Sequence, residues 1–154
     1  MSGVTRADEG RTLLAVDLAL EPAPALPRAE AAEVTSGVEL CGEQLQLFTE
    51  CILERQSDDF CQEPLLLFAL CKERRDAALR ARVKEYDRVH RTEPALLSRE
   101  ALEFERALQR EQQKQLHRES LGSVHLARRL QDLRERIKAL SGGADEPTEP
   151  SVPG

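Results

Sequence analysis

The stretch CGEQLQLFTECILERQSDDFCQEPLLLFALC, residues 41–71, contains all four cysteines of the chain. It repeats one phrase, C-x-E-x-L-x-L-F-x-x-C, at 41–51 and again at 61–71. Apolar side chains recur three and four positions apart along it, which predicts α-helices with one apolar face. Residues 56–59, Gln-Ser-Asp-Asp, break this spacing with side chains that favour turns and helix N-termini. The stretch therefore predicts two helices joined by a short turn.

The positions of the cysteines on these helices limit how they can pair. Ten residues of helix rise about 15 Å, whereas a disulfide needs Cα atoms roughly 4.4–6.8 Å apart, so neither phrase can close on itself. A short turn makes the helices antiparallel, which brings Cys51 to Cys61 near the turn and Cys41 to Cys71 at the open end. The crossed pairing requires parallel helices, which the short turn forbids. The sequence thus predicts a nested pair of bridges.

The repeated phrase resembles that of the twin Cys-x9-Cys family, also called coiled-coil-helix–coiled-coil-helix (CHCH) domain proteins. The resemblance covers about residues 38–75 and rests on the four cysteines and on Phe48 and Phe68, each three positions before the second cysteine of its phrase. It implies residence in the mitochondrial intermembrane space and transient binding to an oxidoreductase import receptor, which introduces the bridges. The residues that match the receptor's recognition signal in this family are Leu45, Leu47, Phe48, Cys51, Leu67, Phe68 and Cys71.

The four cysteines have three other interpretations. A cytosolic or centrosomal coiled-coil scaffold would keep its cysteines reduced and make their spacing a coincidence. A zinc site usually takes cysteines two to four positions apart, and a thioredoxin-like redox site needs Cys-x-x-Cys; neither spacing is present. Because neither spacing is present, we expect no metal and no cofactor, and a redox-active thiol protein is a third and weaker functional alternative.

The rest of the chain divides by composition and periodicity. Three prolines in EPAPALPRAE (21–30) oppose regular structure, and LLAVDLAL (13–20) is the only segment before them with the composition to form a turn or dock on a partner. Pro64 places the start of the second helix between residues 60 and 63. The predicted segments are a disordered tail (1–37), the hairpin (38–75), an extension of its second helix (76–91), a C-terminal helix with coiled-coil character (94–141) and a second disordered tail (142–154).

The predicted C-terminal helix carries two apolar stripes separated by a polar stretch at 111–115. The first consists of Leu97, Ala101, Phe104 and Leu108. The second spans two heptads and is the predicted partner-binding face: Leu126, Leu130, Leu133, Ile137 and Leu140. Two heptads are short for a free coiled coil, so this face needs a partner. The 97–108 stripe or another protein fits better than a second copy, because no Asn or charge pattern specifies a homodimer.

Charge and composition exclude several functions. The net charge of −6 gives no reason to expect nucleic acid as a partner. The first forty residues contain three Arg against seven Asp or Glu, which is unlike a mitochondrial presequence or a secretory signal. Residues 72–91 contain eight Lys or Arg against four Asp or Glu, which suggests either solvated ion pairs or a peripheral contact with the inner membrane.

No acid–base pair, activated nucleophile or phosphate-binding loop is present in the sequence, so we expect no enzymatic activity. The sequence predicts an all-α fold: a disulfide-stapled antiparallel helical hairpin, a long C-terminal helix and disordered tails. By resemblance, its function is that of a non-catalytic assembly factor or scaffold for respiratory-chain or inner-membrane complexes.

Overall fold

The structure is a computed structural model that describes residues 13–26, 28–114 and 121–142. Within these ranges every regular element is a helix and none is a strand, which confirms the predicted all-α class. The helices are α1 (Ala15–Ala19), α2 (Arg28–Thr35), α3 (Gly42–Arg55), α4 (Gln62–Val89), α5 (Pro94–Lys114) and α6 (Leu121–Ser141), with a 3₁₀ turn at Asp58–Cys61 between α3 and α4.

The turn between α3 and α4 forms for local reasons. Gln56 adopts a left-handed conformation (φ 54°) and its N–H donates to the Ile52 carbonyl, which ends α3. The Ser57 hydroxyl then accepts from the Asp59 N–H and caps the 3₁₀ turn. Helix α4 begins at Gln62, within the predicted interval, and Pro64 lies in its first turn, where a missing N–H costs no intrahelical bond.

Beyond the hairpin, α4 continues into a bundle with α5 and α6. Arg91, in a left-handed conformation (φ 50°), reverses the chain after α4, and α5 begins at Pro94, the predicted start of the C-terminal helix. Ion pairs join residues 80, 84 and 87 of α4 to residues 132, 135 and 136 of α6 in ascending order. Helices α4 and α6 therefore run in the same direction. Helix α5, which lies between them in the sequence, runs in the opposite direction.

The predicted single helix over 94–141 is instead two packed helices. Leu97 and Ala101 of α5 form one core cluster with Leu130 and Leu133 of α6. The physical reason is that the two stripes are complementary and belong to one chain, so that packing them together buries both without a second molecule.

The predicted disordered tail over 1–37 also differs from the structure in its described part. Leu13 and Val34 are buried, and Val34 forms a core cluster with Leu79 and Val83 of α4. The prolines keep residues 22–26 out of helix, as expected, but the apolar side chains on either side of them still dock on α4. Residues 1–12 and 143–154 of the predicted tails lie outside the described residues.

No helix in the described ranges combines the length and the apolar character needed to cross a membrane.

Candidate functional site

The hairpin of α3 and α4 is closed by two nested disulfides. One joins Cys41 to Cys71 and the other joins Cys51 to Cys61, with a Cα–Cα distance of 5.9 Å in each. All four cysteines are bonded, and the pairing is the nested one that the spacing predicts. The bridges lie at opposite ends of the hairpin, so both ends of the helix pair are fixed covalently.

Three of the four cysteines are inaccessible to solvent. Cys41, Cys61 and Cys71 are at most 1 % exposed, whereas Cys51 is partly exposed. Cys41 and Cys71 form a core cluster with Phe68, against which Leu18 of α1 packs. The bridge at the open end is therefore shielded by an aromatic ring and by the N-terminal segment.

The N-terminal segment is held on the hairpin by specific hydrogen bonds. The Gln62 side chain accepts from the Leu13 N–H and donates to the Leu13 carbonyl, both at 2.8 Å. The Asp58 carboxylate accepts from the Ala15 N–H at 2.9 Å. Leu13 itself joins a core cluster with Leu65, with Phe48 packed against it. This contact within the chain was not predicted, although the apolar run at 13–20 was a signal for it.

The predicted receptor-recognition residues divide into two groups in the folded hairpin. Leu45, Leu47 and Leu67 are exposed over roughly half of their surface. Phe68 and Cys71 are buried, and the two remaining residues are partly buried: Phe48 and Cys51. The bridged hairpin thus exposes Leu45, Leu47 and Leu67. It buries Phe68 and Cys71 of α4.

The predicted partner-binding face on α6 is covered by α5. Leu130 and Leu133 are 4 % and 5 % exposed, and Ile137 and Leu140 pack against the same cluster. Leu126 is partly buried. These residues form an intramolecular core, so the face does not lie open to a partner in this structure. Of the alternatives that the sequence left open, the 97–108 stripe is the one that occupies it.

The basic stretch at 72–91 is largely neutralised within the chain. The eight basic residues include five that form ion pairs with acids of the described ranges: Lys72, Arg75, Arg80, Lys84 and Arg88. The Arg80–Asp132 pair, at 2.9 Å, and the Lys84–Glu135 pair, at 3.8 Å, join α4 to α6. Internal pairing therefore leaves this stretch less charge for a membrane surface than its composition suggests.

A buried charged cluster lies where α2, α4 and α6 meet. Arg136 donates to both carboxylate oxygens of Asp87, at 2.7 and 2.8 Å. Burial opposes the charge of the Arg136 guanidinium, but its bonds to Asp87 outweigh that effect and raise its pKa. Nearby, Glu30 Oε2 is buried with no hydrogen-bond partner among the described residues, and burial raises the pKa of the Glu30 carboxyl.

Beside this cluster, a cleft of about 100 Å³ opens between residues 24–25 and the three-helix bundle. Its apolar surface comes from Val83, Phe104 and Leu133, and Arg129 lies over the Phe104 ring at 5.8 Å. The charged residues around it include Arg80, Lys84 and Arg136, already engaged in the ion pairs above. Within the described ranges, no three potential metal ligands lie together. The cleft is a gap in the packing between residues 24–25 and the three-helix bundle.

These features define an all-α protein whose central element is a disulfide-stapled helical hairpin, covered by its own N-terminal segment and extended into a helical bundle. The chain belongs to the family described as "Domain of unknown function (DUF7803)", whose model matches residues 6–152. No curated protein and no solved structure matches the chain.

Proposed function

We propose that this protein is a non-catalytic twin Cys-x9-Cys (CHCH) protein of the mitochondrial intermembrane space. In this proposal it acts as an assembly factor or scaffold for respiratory-chain or inner-membrane complexes. The observation that supports it is the nested pair of disulfides between two helices that carry the twin spacing. Disulfides persist in oxidising compartments and are rare in the cytosol, so a hairpin that depends on them fits an oxidising location.

The two helices of the hairpin depend on the bridges to stay packed together. Helix α3 contributes no fully buried residue, so apolar burial alone holds it weakly against α4. By the loop-entropy estimate, closing the Cys51–Cys61 loop contributes roughly 2.7 kcal/mol and closing the Cys41–Cys71 loop roughly 3.7 kcal/mol, each taken alone. Contributions of this size match much of the stability of a small domain. Oxidation is therefore the step that fixes α3 in place.

The proposed import step must precede closure of the hairpin. The import receptor is proposed to bind Leu45, Leu47, Phe48 and Cys51, or Leu67, Phe68 and Cys71. Phe68 and Cys71 are buried once the bridges have formed, so the receptor has to reach them in the reduced chain. Burial after oxidation then takes Phe68 and Cys71 out of the receptor's reach, which fits the proposed transient contact.

The decisive experiment is a thiol-state assay on the native protein with peptide mapping under non-reducing conditions, combined with fractionation of mitochondria. We expect Cys41–Cys71 and Cys51–Cys61 peptides, and protection from protease until the outer membrane is opened. Four free thiols, or a cytosolic or centrosomal location, would replace this proposal with the reduced coiled-coil scaffold.

A double variant, Cys51→Ser with Cys61→Ser, tests the import step separately. It removes one bridge together with Cys51, one of the candidate docking cysteines, so we expect reduced retention in mitochondria. As a matched control, Ser57→Ala alters the same turn without touching a thiol and should be retained normally. Unchanged retention of the cysteine variant would argue against oxidative trapping.

A further inference from the structure

The outer face of α3 and the turn that follows it carry large apolar side chains that are half exposed or more. Leu47 and Leu53 are 50 % and 74 % exposed. Phe60, next to Cys61 at the closed end of the hairpin, is 71 % exposed. Because α3 is fixed to α4 by both bridges, these side chains are held at the surface and cannot turn inward. These three side chains give the hairpin exposed apolar surface of the kind that a partner can cover.

The same face is acidic. Glu43, Leu47, Glu50 and Glu54 follow one another at intervals of four, three and four, which places three carboxylates and one leucine on a single stripe. Residues 39–63 contain seven Asp or Glu and one basic residue, Arg55. None of these seven acids takes part in an ion pair within the described ranges. The negative charge of the hairpin is therefore not neutralised by the described part of its own chain.

The basic stretch at 72–91 offers this face little free charge. Five of its eight cations are already paired with acids of α4 or α6, as described above. A second copy that used these five cations would have to break those pairs in order to neutralise α3 of the first copy. Charge complementarity thus favours a partner that brings its own cations.

We propose that the outer face of α3, formed by Glu43, Leu47, Glu50, Leu53 and Glu54, docks a basic amphipathic helix of a partner protein. The 14 residues of α3 extend about 21 Å, so about four turns of a partner helix cover the face. Leucines of that helix contact Leu47 and Leu53, and its Lys or Arg side chains pair with the three glutamates. The attraction between the two charged faces also speeds and orients the encounter.

The docking proposal rests on the proposed scaffold function and specifies its partner as a protein with a basic amphipathic helix. It requires only the oxidised hairpin, so it holds in any oxidising compartment. A failed docking experiment would leave the thiol-state result intact, and the two proposals can therefore fail separately.

The test titrates the full oxidised chain with a synthetic labelled peptide of about four helical turns, leucines on one face and arginines beside them, by fluorescence anisotropy. A second peptide carries glutamate in place of every arginine. We expect only the basic peptide to bind, and more weakly as salt is added. The triple variant E43Q/E50Q/E54Q should weaken its binding roughly tenfold. Leu47→Ala should weaken it roughly fivefold or more, as truncation of a contact residue at the centre of an interface does.

Matched controls separate docking from general charge attraction. The triple variant E73Q/E93Q/E103Q removes the same charge elsewhere, and Leu102→Ala removes an exposed leucine of α5. Both should bind the basic peptide as the unaltered chain does. Equal loss in these controls, or equal binding of the acidic peptide, would overturn the proposal. Self-association of the chain that E43Q/E50Q/E54Q abolishes, measured by sedimentation, would also overturn it and assign the face to a second copy.

Discussion

At the residue scale, the Asp87–Arg136 pair joins α4 to α6 through two hydrogen bonds at a buried position. Asp87 is 1 % exposed, and both of its carboxylate oxygens accept from the Arg136 guanidinium. A buried carboxylate is stable only with such a partner, because the interior cannot replace the lost hydration. A shift of α6 along α4 would therefore leave both charges buried without their partners, which opposes other registers.

We expect Asp87→Ala to destabilise the protein by about 3 kcal/mol, because it leaves Arg136 buried without its partner. Replacing both residues, Asp87→Leu with Arg136→Met, should recover most of that loss. Chemical denaturation followed by circular dichroism measures both. Glu85→Ala, which breaks an exposed pair with Arg88 on the same helix, is the control and should change little. A loss in the double variant as large as in Asp87→Ala would mean that packing, rather than charge, determines the cost.

Glu30 gives a prediction of pH dependence. Burial raises the pKa of its carboxyl, the neighbouring Asp87 and Glu100 add to the rise, and Arg136 opposes it. Between the unfolded value and this raised value, the folded chain binds more protons than the unfolded chain, so the stability of the fold decreases as pH increases through that window. Glu30→Gln should flatten the profile and raise the melting temperature at neutral pH but not at acidic pH. Thermal unfolding across pH, with Glu103→Gln as an exposed control, checks this; a lower melting temperature at neutral pH would contradict it.

At the element scale, the parts of the fold that could be predicted depend on neighbours in sequence. The phrase at 41–51 and 61–71 fixes two helices, and the residues between them fix an antiparallel turn, so the bridges follow from geometry. Pro64 and Pro94 mark helix starts for the same local reason. Contacts between distant segments could not be predicted from the sequence. Segment 13–20 is held by hydrogen bonds to Gln62 and Asp58. The sequence around these two residues does not indicate that their side chains accept backbone N–H groups some 40 or more residues away.

The two C-terminal stripes illustrate the same limit. Their periodicity predicts two apolar faces correctly, but periodicity does not say which surface will cover a face. We therefore expect Leu133→Ala to destabilise the fold by about 3 kcal/mol, since Leu133 is a buried residue of the α5–α6 core. Leu102→Ala, exposed on α5, should cost far less. Urea denaturation of the two variants gives the comparison. Similar midpoints for both would indicate that α5 and α6 separate in solution and that the α6 face is open to partners.

At the scale of the whole molecule, covalent and non-covalent cores occupy different parts of the chain. The bridges act on residues 41–71, whereas the bundle of α4, α5 and α6 is held by Leu97, Ala101, Leu130 and Leu133 and by the pairs with α4. Helix α4 runs through both parts, so it links a redox-dependent module to one that contains no cysteine.

This division predicts that reduction unfolds the hairpin selectively. After reduction, α3 should lose amide protection by a factor that corresponds to about 3 kcal/mol, because the loops that hold it are no longer closed. Amides of α5 and α6 should keep their protection, since no bond in their core has changed. Hydrogen exchange read by mass spectrometry, before and after reduction, resolves the two regions in one experiment. The quadruple variant with all four cysteines replaced by serine should behave as the reduced chain does. Loss of protection in α5 and α6 together with α3 would mean that the chain unfolds as one cooperative unit, and that the bridges stabilise the bundle as well as the hairpin.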